Sequence, residues 1–220
     1  MLRRTARLHR IAGLALLAPL LAWTATGLLF LVKPGWGGAY ELLDPFGDGA
    51  LDPSELLPLA AIQEAQGATA VELRASALGP LFRIHRRDQV VLVHAQTGTV
   101  LSPLDGRAVE AIARDAASRS TAADRYGEVR SADLTASDGV VRFAGGAVVR
   151  VGRHDLALAQ SGPDTAWIDR LYELHYLRWT GIEALDRALA IAAIGGTWML
   201  AFAGVFLLRR KRASPQPALR

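Results

Sequence analysis

Two long stretches without a charged residue decide the architecture, and each lies near one end of the 220-residue chain. The first is residues 11–32, IAGLALLAPLLAWTATGLLFLV, and the second is residues 188–208, ALAIAAIGGTWMLAFAGVFLL. They contain 22 and 21 residues. A helix needs about 20 predominantly apolar residues to cross the hydrocarbon core of a bilayer. Each stretch therefore predicts a transmembrane helix.

The first stretch has an alternative interpretation as a cleaved secretory signal, because four arginines precede it: Arg3, Arg4, Arg7 and Arg10. Its apolar part is longer than the roughly 7–15 residues of a secretory signal, and no obvious small-x-small cleavage site follows it. We therefore favour a membrane anchor that is retained in the mature protein.

The distribution of charge predicts the orientation. Nine of the 25 basic residues lie in the two terminal tails, which contain no acidic residue. Basic flanks remain on the cytoplasmic side, so both termini are predicted to be cytoplasmic. The segment between the two stretches contains 16 basic and 21 acidic residues and has a formal charge of −5. The sequence pI of about 9.9 thus reflects the tails and argues against nucleic acid as a partner.

The chain contains no cysteine, which excludes disulfides, thiolate metal sites, iron–sulfur clusters and covalent haem attachment through C-x-x-C-H. A domain outside the cytoplasm would then depend on its apolar core. The roughly 150 residues between the two stretches are enough to form one.

These patterns predict an α+β membrane protein with two transmembrane helices flanking an extracytoplasmic domain that contains an antiparallel sheet, on the side that is the periplasm in a Gram-negative cell. Its segments are a basic cytoplasmic tail (1–10), the first transmembrane helix (11–32), the periplasmic α+β domain (33–163), an interfacial aromatic helix with its connector (164–187), the second transmembrane helix (188–208) and a second basic cytoplasmic tail (209–220).

Residues 44–55, DPFGDGALDPSE, match several positions of a calcium-binding EF-hand loop. The third position, which should offer an oxygen ligand, is Phe46. The same residues are explained by a helix start, with Asp52 as the N-cap, Pro53 at the first helical position and Glu55 closing a capping box. We favour the helix start, and we expect that helix to run to about Gln66.

Alternating apolar residues predict strands at 71–75, 81–86 and 90–95, and the glycine turn that follows leads into a further short strand. A second helix is predicted at about 105–117, with Val109, Ile112, Ala113 and Ala116 on one face. The stretch RIHRRDQVVLVHAQTGTVLSPL, residues 83–104, resembles the PepSY module of protease propeptides and membrane proteins. The resemblance covers roughly residues 55–117, and His94 stands where the module usually has an acidic residue.

The remainder of the middle segment has a weaker pattern. Residues 118–135 are polar and predict a connection or an irregular edge. Residues 140–143 and 147–151 flank an Ala-Gly-Gly turn and predict a hairpin, and residues 156–159 add one more strand. Whether these strands extend the first sheet or form a second half-module stays open.

The segment before the second apolar stretch predicts a helix from Asp164 to about Trp179. Its apolar and aromatic residues cover most of the circumference, so we expect it to lie against protein, the membrane interface or both. On the helical spiral one face carries Ile168, Leu171, Tyr172, His175 and Trp179.

Three stretches resemble the PepSY-associated transmembrane helices of bacterial inner-membrane proteins. They are RLHRIAGLALLAPLLAWTATGLLF (7–30), LYELHYLRWTG (171–181) and AGVFLLRR (203–210). That family includes proteins linked to siderophore iron uptake, and larger members that bind haem b and resemble ferric reductases. The family's histidine near the start of the first helix corresponds to His9, and its later histidine-glycine segment corresponds to His175 with Gly181. The resemblance therefore implies His9 and His175 as haem ligands.

The two histidines of a single chain cannot both coordinate the iron of one haem. Two axial nitrogens must lie within about 4 Å of each other, since metal–nitrogen bonds are near 2 Å. His9 and His175 are predicted on opposite sides of a hydrocarbon core about 30 Å thick. A haem could still be held between His175 and the same residue of a second copy, or between this chain and another protein that carries the other ligand. Small residues in both spans permit close helix pairing within the chain or in a dimer: Ala18, Ala22, Thr26, Ala192 and Gly196.

Each histidine also has a simpler explanation. His175 would hydrogen-bond a carbonyl or a lipid phosphate, and His9 would add to the basic flank that binds headgroups. His85, His94 and His154 have no ligand spacing and are interpreted as ordinary strand or turn residues.

The sequence shows no serine or zinc hydrolase motif and no phosphate loop, and neither apolar stretch contains an ionisable residue. Two functions are left open. One is an accessory of periplasmic iron and siderophore handling with haem b-linked electron transfer, at most a subunit of a haem-dependent reductase. The other is a non-enzymatic module that binds or inhibits a neighbouring protein whose identity the sequence does not give. In both, the chain lies in a lipid bilayer, as a homodimer or within a larger membrane complex.

Overall fold

The computed structural model describes residues 2–212 and divides into two compact units. One unit holds the residues up to 34 together with those from 167 onward, and the other holds residues 35–166. The chain is α+β, with an apolar helix near each end and two antiparallel sheets in the middle segment, as the sequence predicted at this level.

Five α-helices and eight strands form within the described residues. In chain order they are α1 (Leu2–Val32), α2 (Trp36–Ala39), β1 (Phe46–Gly47), β2 (Ala70–Ser76), β3 (Gly79–His85), β4 (Val90–His94), α3 (Gly106–Ser118), β5 (Val129–Leu134), β6 (Asp138–Phe143), β7 (Val148–Gly152), β8 (Leu158–Ser161), α4 (Pro163–His175) and α5 (Glu183–Arg212).

The terminal helices α1 and α5 are long and apolar enough to cross a membrane, over Ala6–Val32 and Glu183–Arg209. They contain the two predicted stretches, but α1 already begins at Leu2 and α5 begins five residues before the predicted stretch. Their large apolar side chains are mostly exposed, for example Leu31 at 80% and Met199 at 74%.

Small residues of α5 lie against α1. A Cβ added at Gly196 would lie 3.2 Å from Leu16 Cδ1, and one added at Gly204 would lie 3.5 Å from His9 Cε1. Because these positions carry no side chain, the two helices approach each other closely. Gly196 therefore takes part in helix pairing within the chain, which is one of the two alternatives that the sequence left open.

Between the terminal helices of this unit, α4 ends at His175 and not at Trp179 as predicted. The backbone turns at Leu177 and Gly181, where φ is 56° and 72°, and at the latter the absence of Cβ removes the strain. The buried carboxylate of Asp186 accepts hydrogen bonds from Thr180 N at 2.9 Å and Thr180 Oγ1 at 2.8 Å. These contacts fix the start of α5.

In the other unit, the first sheet has the order β1-β2-β3-β4 with all pairs antiparallel. The three predicted strands are confirmed as β2, β3 and β4. The short strand predicted after the glycine turn is reduced to a single bridge between Val93 and Val100.

The helix predicted from Asp52 to Gln66 is wrong, because this segment forms three separate 3₁₀ turns. Asp52 is the N-cap of the first turn and Pro53 follows it, as predicted, but the side chain of Glu55 accepts from Gln96 Nε2 at 2.7 Å and closes no capping box. Pro58 explains the break, since proline cannot donate to a helical ladder and pushes its predecessor to extended geometry.

Helix α3 confirms the prediction for residues 105–117. Asp105 caps it, accepting from Ala108 N at 2.8 Å, and the face that contains Val109, Ile112 and Ala113 is buried. A helix that buries one face needs another element with an apolar surface to pack against that face. The strands provide that surface.

The second sheet has the order β5-β6-β7-β8, so the later strands form a sheet of their own and do not extend the first. The predicted hairpin is confirmed as β6 and β7, and β8 lies two residues later than expected. The prediction for residues 118–135 missed β5, whose side chains are mostly exposed. An exposed edge strand has no apolar face to produce a periodic signal.

One apolar cluster joins the two sheets. It contains Leu81 and Leu92 from the first sheet, Ile112 from α3, and Val141 and Val149 from the second sheet, all at 0% exposure. A second cluster on the other face of the first sheet packs Phe82, Ile84 and Val93 against Ile62 of the 3₁₀ segment. The first sheet is therefore covered on both faces.

Candidate functional site

His175 occupies the last residue of α4 and lies against the side of α1. Three aromatic rings surround its imidazole. Trp23 stacks on it with 5.8 Å between ring centroids, and Phe30 and Tyr176 meet it edge-on at 4.7 Å and 5.5 Å. Aromatic pairs at these separations and angles attract one another, so the ring is held in one orientation.

Thr26 supplies the polar contact to this ring. Its Oγ1 lies 2.9 Å from His175 Nδ1, and also 2.9 Å and 3.0 Å from the carbonyl oxygens of Ala22 and Trp23. Thr26 is 3% exposed, although it belongs to a helix whose apolar side chains are largely exposed. A buried hydroxyl needs partners, and Thr26 finds them in its own helix and in His175.

An apolar cleft of about 300 Å³ opens beside the imidazole. It lies at the lower end of the range for ligand pockets. Its walls come from α1 and α5 and from the end of α4, with Pro19, Leu20, Trp23, Ala193, Ile194 and Trp198 among the lining residues. His175 brings a nitrogen donor to this otherwise largely apolar wall, and its Nε2 has no hydrogen-bond partner within residues 2–212.

His9, the second ligand that the resemblance implies, lies elsewhere. Its ring contacts α5 at Gly204, and its Nδ1 is buried without a hydrogen-bond partner in the part of the chain described. Seventeen residues of α1 separate it from Thr26, about 25 Å along a helix at 1.5 Å per residue. The structure therefore does not bring His9 and His175 together.

The chemistry of the donors decides whether a haem fits. Haem iron takes an imidazole nitrogen as a ligand, and the polarity and access of the surrounding pocket tune its chemistry. His175 with its unpartnered Nε2, flanked by Trp23 and an apolar cleft, fits one face of such a group. The other lining residues include no second histidine and no methionine, and the one tyrosine, Tyr176, packs edge-on against the His175 ring. The residues that line the cleft therefore fit one side of a haem site, with His175 as the ligand from this chain.

In the other unit, a groove of about 260 Å³ lies between the two sheets. Its charged residues are Asp44, Glu72, Arg74, Arg83 and Asp155. Arg74 pairs with Asp44 at 3.3 Å, but Arg83 lies 3.7 Å from Glu72, too far for a hydrogen bond. Arg83 Nε is buried without a partner in the described chain. The guanidinium of Arg83 is therefore incompletely satisfied.

The acidic residues of the EF-hand-like stretch do not converge. Asp44 accepts from Phe46 N at 2.9 Å, and Asp52 accepts from Ser54 N at 2.9 Å. Hydrogen bonds from Ser54 outweigh desolvation and lower the pKa of Asp52. Residues 2–212 hold no group of three or more His, Asp or Glu side chains arranged for a metal ion.

A polar network holds the N-terminal part of this unit to the second sheet. Arg125 donates to Gly38 O, to Gln160 Oε1 at 2.6 Å and to Asp164 Oδ1 at 2.7 Å. Tyr126 donates its hydroxyl to the same Gln160 oxygen. Desolvation raises the pKa of Tyr126, so the phenol stays neutral and remains a donor. Each of these groups has a structural partner.

Glu41 anchors the same region to the end of α3. It accepts from Ser120 Oγ and from Thr121 N, the latter at 2.8 Å. Desolvation alone would raise the pKa of Glu41, but the hydrogen bonds from Ser120 and Thr121, with the charge of Arg125, outweigh it and hold the pKa below 4.5. The folded state thus prefers the ionised carboxylate.

Sequence reasoning found His175 but missed Thr26, Trp23 and Phe30 as its neighbours. These three residues belong to a run with almost continuous apolar character, where periodicity marks no special face. A threonine within an apolar span is a weak signal, since such hydroxyls commonly bond the carbonyl four residues back. Comparisons with protein-family models, curated proteins and solved structures gave no match.

Acid should weaken this domain through Glu41. Since its pKa is lower in the folded state, its stabilising contribution is complete above 4.5 and is lost as the pH falls through the folded pKa. We expect Glu41→Gln to reduce the loss of stability between neutral pH and a pH of about 4. Urea unfolding of the detergent-solubilised protein, followed by circular dichroism at both pH values, measures this. Glu128→Gln, at an exposed carboxylate, is the control, and equal acid sensitivity in Glu41→Gln and the parent protein would contradict the assignment.

Proposed function

We propose that the protein is a two-pass inner-membrane protein whose middle segment faces the periplasm. The length and apolar character of α1 and α5 support this placement. So does the exposure of their side chains, for example Leu31 and Phe202 at 80% and 66%, because such surfaces are stable in hydrocarbon and not in water. The basic tails support cytoplasmic termini.

The absence of native cysteine allows a direct test of this topology. Ser131→Cys adds a thiol at an exposed position of β5, and Ser214→Cys adds one in the C-terminal basic tail. We expect a membrane-impermeant maleimide to label the first in intact spheroplasts, and the second only after permeabilisation. The reverse pattern, or labelling of both in intact spheroplasts, would overturn the placement.

Within this membrane, we infer that His175 supplies one axial ligand to a haem b. The observation that carries this is the imidazole held by Thr26 and three aromatic rings, with Nε2 unpartnered beside an apolar cleft. Bound haem b supplies one-electron redox chemistry. His175 would bind the iron through Nε2, Trp23 and the cleft would exclude water, and Phe30 with Tyr176 would keep the ring in place.

His9 lies about 25 Å away along α1 and would not reach a haem held by His175. A second protein ligand to that haem would come from a second copy of the chain or from a partner protein. The faces of Gly196 and Gly204 are already occupied by α1, so this neighbour would approach elsewhere. The resemblance to the PepSY-associated family supports a role for this haem site as an accessory in periplasmic siderophore-iron handling. His9 stays a candidate ligand at the other end of α1.

The absorbance spectrum of the purified protein tests the haem proposal. In detergent or nanodiscs, we expect a Soret band after expression with adequate haem supply, and its loss in His175→Ala because the axial nitrogen is gone. His154→Ala, at an exposed histidine of the other unit, should leave the band unchanged. A parent protein without a Soret band, or a band that His175→Ala retains, would refute the proposal.

The groove between the two sheets favours a second candidate function, a module that binds a neighbouring protein. Arg83 lines this groove and has a buried Nε without a hydrogen-bond partner in the described chain. The Arg83 side chain is 27% exposed and its ion pair with Glu72, at 3.7 Å, is not a hydrogen bond, so a carboxylate from another chain would bind the accessible N–H groups of the guanidinium. The resemblance to a propeptide module points the same way.

Affinity purification from cross-linked membranes tests this candidate. We expect a partner at near-stoichiometric amount with the parent protein and a marked loss with Arg83→Ala, because the bidentate donor is removed. Arg142→Ala, at an exposed arginine of the second sheet, should retain the partner. Recovery of the parent protein alone, or equal recovery in all three proteins, would eliminate it.

A further inference from the structure

We propose that Thr26 is a positioning residue: it fixes His175 in the tautomer with the proton on Nδ1 and thereby makes Nε2 the ligating atom. The identity of the ligand as a haem iron rests on the proposed function. The assignment of the proton rests on hydrogen-bond geometry alone.

A threonine hydroxyl has one hydrogen to donate and two lone pairs that accept. Thr26 Oγ1 lies 2.9 Å and 3.0 Å from the carbonyl oxygens of Ala22 and Trp23, which can only accept. The hydroxyl hydrogen therefore points toward these carbonyls. The remaining contact, 2.9 Å to His175 Nδ1, is a hydrogen bond only if the imidazole donates.

The reverse arrangement is unfavourable. If Thr26 donated to Nδ1, its lone pairs would face two carbonyl oxygens at about 3 Å with no hydrogen between them, in a site 3% exposed. Electrostatic interactions are strong in such a low-dielectric environment, so this repulsion would not be screened. The geometry points to a donating Nδ1–H.

A neutral imidazole carries one proton, so a proton on Nδ1 leaves the lone pair on Nε2. The aromatic neighbours prevent the ring from flipping and exchanging the positions of Nδ1 and Nε2. Trp23 covers its face, and Phe30 and Tyr176 meet it edge-on, so a flip would disturb all three contacts. Metal-binding histidines are commonly oriented by such a second hydrogen bond. Thr26 would act through His175 without touching the ligand.

The helix contains its own control residue. Thr24 makes the same two bonds to backbone carbonyls, to Leu20 O and Leu21 O at 3.0 Å each, but within the described residues it has no histidine partner. Thr24→Val and Thr26→Val therefore remove equivalent hydroxyls from one helix. The two variants differ in one respect, which is the contact to His175.

Nitrogen-15 NMR of ring-labelled histidine tests the tautomer in the full chain, without haem. The protein is placed in nanodiscs at mildly alkaline pH, where free imidazole is neutral, and His175→Ala identifies the resonances. We expect a protonated Nδ1 and an unprotonated Nε2 in the parent protein, in Thr26→Ser and in Thr24→Val. Thr26→Val should shift the population toward the other tautomer. A proton on Nε2 in the parent protein, or no change in Thr26→Val, overturns the proposal.

Haem titration by absorbance gives the second measurement. Loss of an outer hydrogen-bond partner typically lowers affinity about 10–100-fold, so Thr26→Val should weaken haem binding by that factor while Thr26→Ser and Thr24→Val remain near the parent value. An unchanged affinity in Thr26→Val counts against the positioning role. If NMR gives the expected tautomers and no His175-dependent haem binding occurs, the role of Thr26 stands and the haem function fails.

Discussion

The middle segment depends on the burial of one helix face against two sheets. Val109, Ile112 and Ala113 of α3 are fully buried, and the same cluster takes side chains from both sheets. A full hydrophobic side chain buried in this way contributes about 1.5–3 kcal/mol. Gly139 shows how close the packing is, because a Cβ there would collide with the Val109 side chain. Without α3, neither four-stranded sheet would keep this shared face out of water.

The helices and the buried strands could be predicted because their patterns reflect burial directly. In the two apolar stretches, in the amphipathic α3 and in β3, all residues of one face lie in apolar surroundings, and this produces a regular pattern in the sequence. The segment after Asp52 could not be predicted from propensity alone, since Pro58 acts through the backbone and outweighs the helix-forming residues around it. Strand β5 was missed for the opposite reason. Its pairing with β6 supplies its structure, while its side chains are exposed and carry no periodic signal.

The site at His175 was only half predictable. The aromatic helix and its histidine were identified from composition, but the hydroxyl of Thr26 lies 149 positions away in sequence. Only the folded chain brings these two polar groups together in apolar surroundings. The polar residues of the other unit behave differently, because Glu41, Arg125 and Gln160 use their groups to hold backbone segments together. Arg83 differs from Arg125, because its buried Nε has no hydrogen-bond partner inside residues 2–212.

Strand β5 is an edge strand of the second sheet, so within the described residues one side of its backbone pairs with no other strand. Its pairing with β6 is interrupted by a register shift between Val129 and Ser131, and Arg130 and Asp133 put charge on the same strand. Sheet edges that are irregular and charged resist the addition of a strand from a neighbouring molecule. This edge would therefore keep an encounter between two copies of the middle segment from growing into a fibrillar stack.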